Sequence, residues 1–225
     1  MGEETHTKAL LKTAGVQLAR GGSFSVGLPD LGLMAGDAVA IVGPSGCGKT
    51  TALMALAGIR PPASGMITID GVNPWALQSG ERDRFRGRRI GLVFQSFHLV
   101  DALSAAANIR LAAIGADHSS EGTERLHHLA DKLDIVGILS HRADRISHGQ
   151  AQRVAIARAL YNKPAVLLAD EPTSALDDGH TEHLLALLLQ VARAEGAALV
   201  ITTHDHRILK WVGSIVELEA RTWKR

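Results

Sequence analysis

The chain has 225 residues, 46% of them hydrophobic, which supports a substantial core in one domain and excludes overall disorder. Lys and Arg number 24 against 23 Asp and Glu, a formal net charge of +1, so charge announces no polyanion-binding surface. The single cysteine, Cys47, excludes an internal disulfide and suits a reducing compartment.

"MGEETHTKAL" carries acids where a secretory leader would carry basic charge, and no stretch reaches the roughly 18 apolar residues of a membrane span. A soluble, cytosolic protein is expected. Further along, "AVAIVG" (38–43) predicts a buried strand, "TALMALAGI" (51–59) a helix and "MITIDG" (66–71) a strand. The arginine-rich "ERDRFRGRR" (81–89) mixes acids with its bases and leads into a strand. That pattern favours a solvated helix face over a nucleic-acid surface. "GLVFQ" (91–95) is the next strand, and residues 96–160 then turn to Ala-, Leu- and His-containing helical segments without a convincing strand. Within them, "RISHGQAQRVAIARAL" (145–160) places a turn before a helix expected to begin after Gln150. "AVLLAD" (165–170) and "ALVITT" (198–203) are buried strands around the helix "TEHLLALLLQVARAEG" (181–196). "SIVELEA" (214–220) reads, like "MITIDG", as a strand of an antiparallel part. Apolar strands alternating with helices predict an α/β fold with a mainly parallel, buried sheet.

"GPSGCGKTT" joins the first buried strand to its helix and matches the G-x-x-x-x-G-K-[ST] pattern: Gly43, Pro44, Ser45, Gly46, Cys47, Gly48, Lys49, Thr50 and Thr51. Its glycines let backbone wrap a phosphate and its amides point inward at a helix amino terminus. Lys49 can neutralise β- and γ-phosphate oxygens, and the Thr50 hydroxyl can ligate Mg2+. A chance glycine-rich turn would lack the flanking strand and helix. Cys47 is read as a small loop residue with no redox role. "AVLLADEP" puts two carboxylates at the carboxyl end of a buried strand, where open α/β sheets bind ligands. Asp170 can hold Mg2+ through its water shell, and Glu171 can take a proton from the water attacking the γ-phosphate.

Five ordered motifs now resemble the ATP-binding cassette (ABC) ATPases over nearly the whole chain: the cradle at 43–51, Gln95 in "GLVFQSFHL", "ISHGQ" at 146–150, "ADEPTSALD" at 169–177, and His204 in "VITTHD". The resemblance implies a P-loop NTPase core of ABC ATPase type with an antiparallel β subdomain and an inserted α-helical subdomain. The whole chain would form one domain, with residues 1–95 and 161–225 as the α/β core and 96–160 as the helical part. It implies that Gln95 senses Mg2+ and the attacking water, that His204 contacts the γ-phosphate and positions Glu171, and that Asp177 reaches across a dimer interface. Ser147, His148, Gly149 and Gln150 would serve the nucleotide of the opposite subunit, with helix amides and the Ser147 hydroxyl as donors.

Two stretches depart from the family pattern. Ile146 and His148 replace the leucine and first glycine of the usual Leu-Ser-Gly-Gly-Gln. The imidazole either obstructs the phosphate or points away and leaves the donors intact; the second is favoured because Ser147, Gly149 and Gln150 remain. For stacking on adenine, "VQLARGGSF" offers Arg20, or Phe24 if the loop is longer, in place of the frequent aromatic residue.

The resemblance implies a Mg2+-dependent ATPase working as a head-to-tail homodimer with two ATP molecules between its halves. It would attach to the inner face of the cell membrane through separate permease subunits. "RRIGLVFQSFHL" and "THDHRIL" are most similar to the lipoprotein-releasing, macrolide-export and glycolipid-export group. Export or extraction of a lipophilic substrate or lipoprotein is expected, with room for a periplasmic adaptor and no nucleic-acid partner. The alternatives are a regulatory cassette acting on a membrane partner without transport, a soluble ABC ATPase of DNA repair or translation, and a degenerate site that binds ATP without turnover.

Overall fold

The computed structural model describes residues 8–20, 24–113, 121–174, 177–218 and 221–222. In chain order the strands are β1 (Leu11–Arg20), β2 (Phe24–Leu28), β3 (Gly32–Leu33), β4 (Ala38–Val42), β5 (Ser64–Ile69), β6 (Ile90–Val93), β7 (Val166–Asp170), β8 (Ala198–Thr203), β9 (Ser214–Glu217) and β10 (Arg221–Thr222). The helices are α1 (Lys49–Leu56), α2 (Ser79–Arg89), α3 (Ala105–Arg110), α4 (Glu121–Lys132), α5 (His148–Leu160) and α6 (Asp178–Ala194).

The strands form two sheets. One is antiparallel, with β1 paired to β2, β3 and β5, and β10 added beside β2. The other runs β6-β7-β8-β4-β9, and every pairing in it is parallel. Its central strands are apolar at successive positions because both faces are covered. Leu199 and Ile201 of β8 face a core shared with α4, α5 and α6. Ala198 and Val200 face a second core shared with α1 and the antiparallel sheet.

Two expectations need correction. "SIVELEA" is not antiparallel: β9 pairs parallel to β4, Val39 opposite Ser214 through Val42 opposite Glu217. Its half-polar pattern reflects an edge position that leaves Ile215 46% exposed. The helix of "ISHGQ" starts before Gln150, not after it. Ser147 is its N-cap and Gln150 lies in its first turn, because the S-x-x-Q spacing closes a capping box: Ser147 Oγ accepts from Gln150 N, and Gln150 Oε1 accepts from Ser147 N.

Between β6 and β7 the described residues hold α3, α4, α5 and short 3-10 turns. Glu195, the C-cap of α6, fastens this region to the sheet's flanking helix. Its carboxylate, 5% exposed, meets Arg125 Nη1 at 2.7 Å, Lys132 Nζ at 2.9 Å and His128 Nε2 at 3.3 Å, all on α4. Arg125 also donates to the carbonyls of Leu160 and Tyr161 at the end of α5. Burial pushes the Glu195 carboxyl upward, but hydrogen bonds from Lys132 and Arg125 outweigh it and leave the group below its ordinary range.

Glu195→Ala should therefore cost about 3 kcal/mol in urea unfolding, the lower end for breaking a buried pair whose partners are part-exposed. With the folded-state pKa depressed, this contribution is fully present above the unfolded value of about 4.3 and is lost as pH falls through the folded one. The gap between parent and variant should accordingly narrow on acidification below about pH 4; a gap constant with pH would mean that Glu195 acts only as packing.

Candidate functional site

The cradle grows out of the end of β4. Gly43 (φ 156), Gly46 (φ 80) and Gly48 (φ 113) occupy backbone regions that side chains rarely adopt. At Gly43 a Cβ would meet Cys47 Sγ at 2.7 Å and the Leu218 carbonyl at 2.8 Å, so the loop closes only around a glycine. Cys47 is buried and free, and its amide donates to the Pro44 carbonyl at 3.2 Å. Gly48 is the N-cap of α1 and supplies no side-chain acceptor, so the first-turn amides of Lys49, Thr50 and Thr51 keep the open, positive end of the helix. By contrast α3, α5 and α6 are capped by Ser104, Ser147 and Asp177.

Lys49 lies inside this cradle, 5% exposed. Its ammonium donates to the carbonyls of Gly43 at 2.8 Å and Pro44 at 3.1 Å, and stands 3.3 Å from Glu171 Oε1. The other carboxylate oxygen of Glu171 is 3.0 Å from His204 Nδ1. Glu171 thus bridges the cradle lysine and His204 at the end of β8. Its own φ is 42, a left-handed conformation that costs a non-glycine residue about 1–3 kcal/mol and is held by its amide donating to the Thr202 carbonyl at 2.9 Å.

Asp170, at the end of β7, accepts from the Thr202 hydroxyl and, at 3.4 Å, from the Thr50 hydroxyl. Thr50 and Asp170 are therefore adjacent hard oxygen donors, the set that Mg2+ takes together with phosphate oxygens and water. Gln95 is held elsewhere: its Nε2 donates at 3.1 Å to the hydroxyl of Ser174, three residues beyond Glu171.

The remaining expected residues take no part in the contacts of the cradle described so far. None of the hydrogen bonds or ion pairs of Lys49, Thr50 and Glu171 described above reaches Ser147–Gln150 or Asp177. Ser147 and Gln150 cap each other, and the His148 ring packs on Phe97, with centroids 4.8 Å apart and planes at 55°. The imidazole is thus engaged by an aromatic ring outside the turn. Asp177 caps α6, accepting from His180 N at 2.9 Å and meeting His180 Nδ1 at 2.8 Å; these two bonds hold its carboxyl below the ordinary range. The backbones of Arg20 and Phe24 pair at the turn end of β1 and β2, and their side chains lie outside the described residues.

Several working residues escaped sequence reasoning. Thr202 joins Asp170 to Glu171 but reads only as a strand threonine. Ser174 was legible as a hydroxyl within "DEPTS", without a partner to name. Gln152 of α5 donates to the Pro172 carbonyl at 2.8 Å, and Arg158 donates to the carbonyls of Phe97 at 2.5 Å and His98 at 2.6 Å. Burial holds the Arg158 guanidinium below its ordinary pKa. Thr173, Ser174, His204, Asp205 and Arg207 line an open cavity of about 400 Å³ beside Glu171. There Arg207 hydrogen-bonds Asp205 and keeps its carboxyl low.

A family model described as ABC transporter matches residues 29–174. An uncharacterized ABC transporter ATP-binding protein of Mycobacterium tuberculosis is 40% identical over 190 residues, covering 84% of this chain and 57% of its own length. The lipoprotein-releasing system ATP-binding protein LolD of Bacteroides fragilis is 40% identical over 182 residues, covering 80% of this chain and 84% of LolD. A bacterial ABC transporter cassette was solved as a dimer and again in a dimeric post-hydrolysis state bound to ADP and Pi. It superposes with TM-scores of 0.78 and 0.77 at 31% identity, over 96% of this chain and 99% of that one.

Because the cradle has no room for a side chain at its first residue, Gly43→Ala should weaken nucleotide binding at least about tenfold, or 1.4 kcal/mol, in calorimetric titration. Unchanged affinity would mean that the loop reshapes freely and that its observed path does not matter.

Proposed function

The chain belongs to the ABC transporter family, and on that premise we propose that it is an ATP-binding and ATP-hydrolysing subunit whose dimerisation and hydrolysis drive a separate membrane permease. The observation that carries this reading is Glu171, whose two carboxylate oxygens lie 3.3 Å from Lys49 Nζ and 3.0 Å from His204 Nδ1 beside the uncapped start of α1. A base, a cation and a polar ring converge where a terminal phosphate would rest, which is the requirement for in-line attack by water.

In this mechanism the amides of the 43–51 loop and the α1 dipole bind the phosphates, and Lys49 exchanges its two loop carbonyls for β- and γ-phosphate oxygens. Thr50 and Asp170 would hold Mg2+, which would supply charge neutralisation on the phosphate oxygens. Glu171 accepts the proton of the attacking water, and His204 keeps the carboxylate turned toward it. Gln95, at the end of β6, reports on the site from its bond to Ser174. The amides of His148 and Gly149, with the Ser147 hydroxyl and Gln150, complete the site of a second copy, and Asp177 faces the same interface. The pairing of the related cassette supports a homodimer. Core and insert divide at about residues 95 and 160, and Arg20 or Phe24 stacks on adenine.

Among the described residues no helix is long and apolar enough to cross a membrane. Membership of the ABC transporter family supports separate permease subunits, with this chain attached through them to the inner face of the membrane. The relation to LolD supports export or extraction of a lipoprotein or other lipophilic substrate.

Glu171→Gln removes the base while keeping the volume. It should retain ATP binding, lower steady-state hydrolysis by about 100-fold or more, and accumulate an ATP-dependent dimer in size-exclusion chromatography. Hydrolysis at the parent rate would remove Glu171 from the base role.

A further inference from the structure

Just beyond His204, one guanidinium gathers two carboxylates that the proposed function does not use. Arg207 Nε lies 2.8 and 3.0 Å from the two carboxylate oxygens of Asp205, and Nη2 donates to Asp205 Oδ2 at 2.7 Å. Nη1 of the same group pairs with Asp178 in the first turn of α6. Asp205 also caps the short 3-10 turn His206–Lys210, accepting from Arg207 N at 3.0 Å, and it accepts from the Thr173 hydroxyl at 3.3 Å. Bonds from Arg207 keep the Asp205 carboxyl below its ordinary range, so the fork stays charged. Through Asp205 the guanidinium thus ties together the residue after His204, the segment two residues beyond Glu171 and the start of α6.

His204 needs such a tie. Its side chain is half-exposed, and among the described residues its ring is bonded to Glu171 alone. Ring direction therefore depends on the backbone, which is fixed at the next residue: the Asp205 amide donates to the Thr203 hydroxyl at 2.8 Å while its carboxylate sits in the fork. We propose that Arg207 is a positioning residue for hydrolysis, whose fork on Asp205, anchored to Asp178 on α6, holds His204 where it keeps Glu171 turned toward the attacking water. The inference rests on the proposed function, in which Glu171 and His204 act together, and it adds a residue that works through His204 and not on the nucleotide. A lysine at position 207 would bring one point charge and could not serve both Asp205 oxygens while reaching Asp178. Asp178 is exposed and Arg207 partly so, so this pairing adds little to folding stability, and what it supplies is geometry.

The test is single-turnover hydrolysis of radiolabelled ATP by an excess of the full chain, for the parent, Arg207→Ala, Asp178→Ala, His204→Ala and the Arg207→Ala/His204→Ala double variant. Calorimetric titration gives the ATP affinity of each. Arg207→Ala should lower the rate about tenfold or more and leave the dissociation constant within about twofold, because no bond of the cradle is touched. Asp178→Ala should lower the rate about threefold or more. His204→Ala should fall at least as far as Arg207→Ala, and the double variant should match His204→Ala within about twofold, because the arginine acts through that ring. The parent rate in Arg207→Ala or Asp178→Ala overturns the positioning role, as does a loss of ATP affinity in place of rate. An Arg207→Ala penalty of the same size with and without His204 would mark a general loosening and overturns it too. His204→Ala at the parent rate removes the ring from the mechanism, and Arg207 with it, while the parent's hydrolysis keeps the chain an ATPase. A parent that hydrolyses no ATP overturns the proposed function itself and the inference that rests on it.

Discussion

The site depends on one carboxylate held between two positive or polar partners at the end of a buried strand. Side chains along a strand alternate between faces, yet Asp170 reaches Thr50 and the next residue, Glu171, reaches Lys49, so two neighbours serve two adjacent residues of one helix turn. The left-handed backbone at Glu171 breaks the alternation and makes this possible. Thr202 holds the break in place from β8, its hydroxyl on Asp170 and its carbonyl on the Glu171 amide. Strain is thus placed where the chemistry needs two acids on one side, and the flanking strand supplies the restraint.

From that point the rest of the molecule is tied together through residues 171–174. Gln95 reaches Ser174 from the edge strand β6, Gln152 reaches the Pro172 carbonyl from α5, and Thr173 donates to Asp205 beyond β8. The helical region between β6 and β7 therefore meets the segment that follows Glu171 through two side-chain amides. Its far side is pinned by the Glu195 cluster on α4.

The α/β pattern and the cradle were legible because glycine, lysine and hydroxyl at fixed spacing serve one purpose in a strand-to-helix turn, and because a sheet covered on both faces leaves continuous apolar runs. The parallel pairing of β9 was not legible: an edge strand with one exposed face has the same alternation in either direction. The start of α5 differs from the expectation because "SHGQ" has the composition of a loop, and only the mutual capping of Ser147 and Gln150 extends the helix back to His148. Thr202, Phe97 and Arg158 left no local signal, since each acts on a partner more than 30 residues away in sequence or through a backbone carbonyl. His148 departs from the glycine of the usual turn, and its ring packs on Phe97, about fifty residues earlier, which the sequence alone does not bring near.

Under the proposed function the cradle of one chain is completed by the turn of another, and sedimentation velocity with ATP can detect that pairing. The chain to use is the Glu171→Gln variant, with and without Gly149→Asp. A Cβ at Gly149 meets nothing within 4 Å, so the fold accommodates the change while a carboxylate is set against the incoming phosphate. The account predicts that the double variant still binds ATP through its intact cradle and stays monomeric, whereas Glu171→Gln alone dimerises. An ATP-dependent dimer that forms equally well with Gly149→Asp would contradict it.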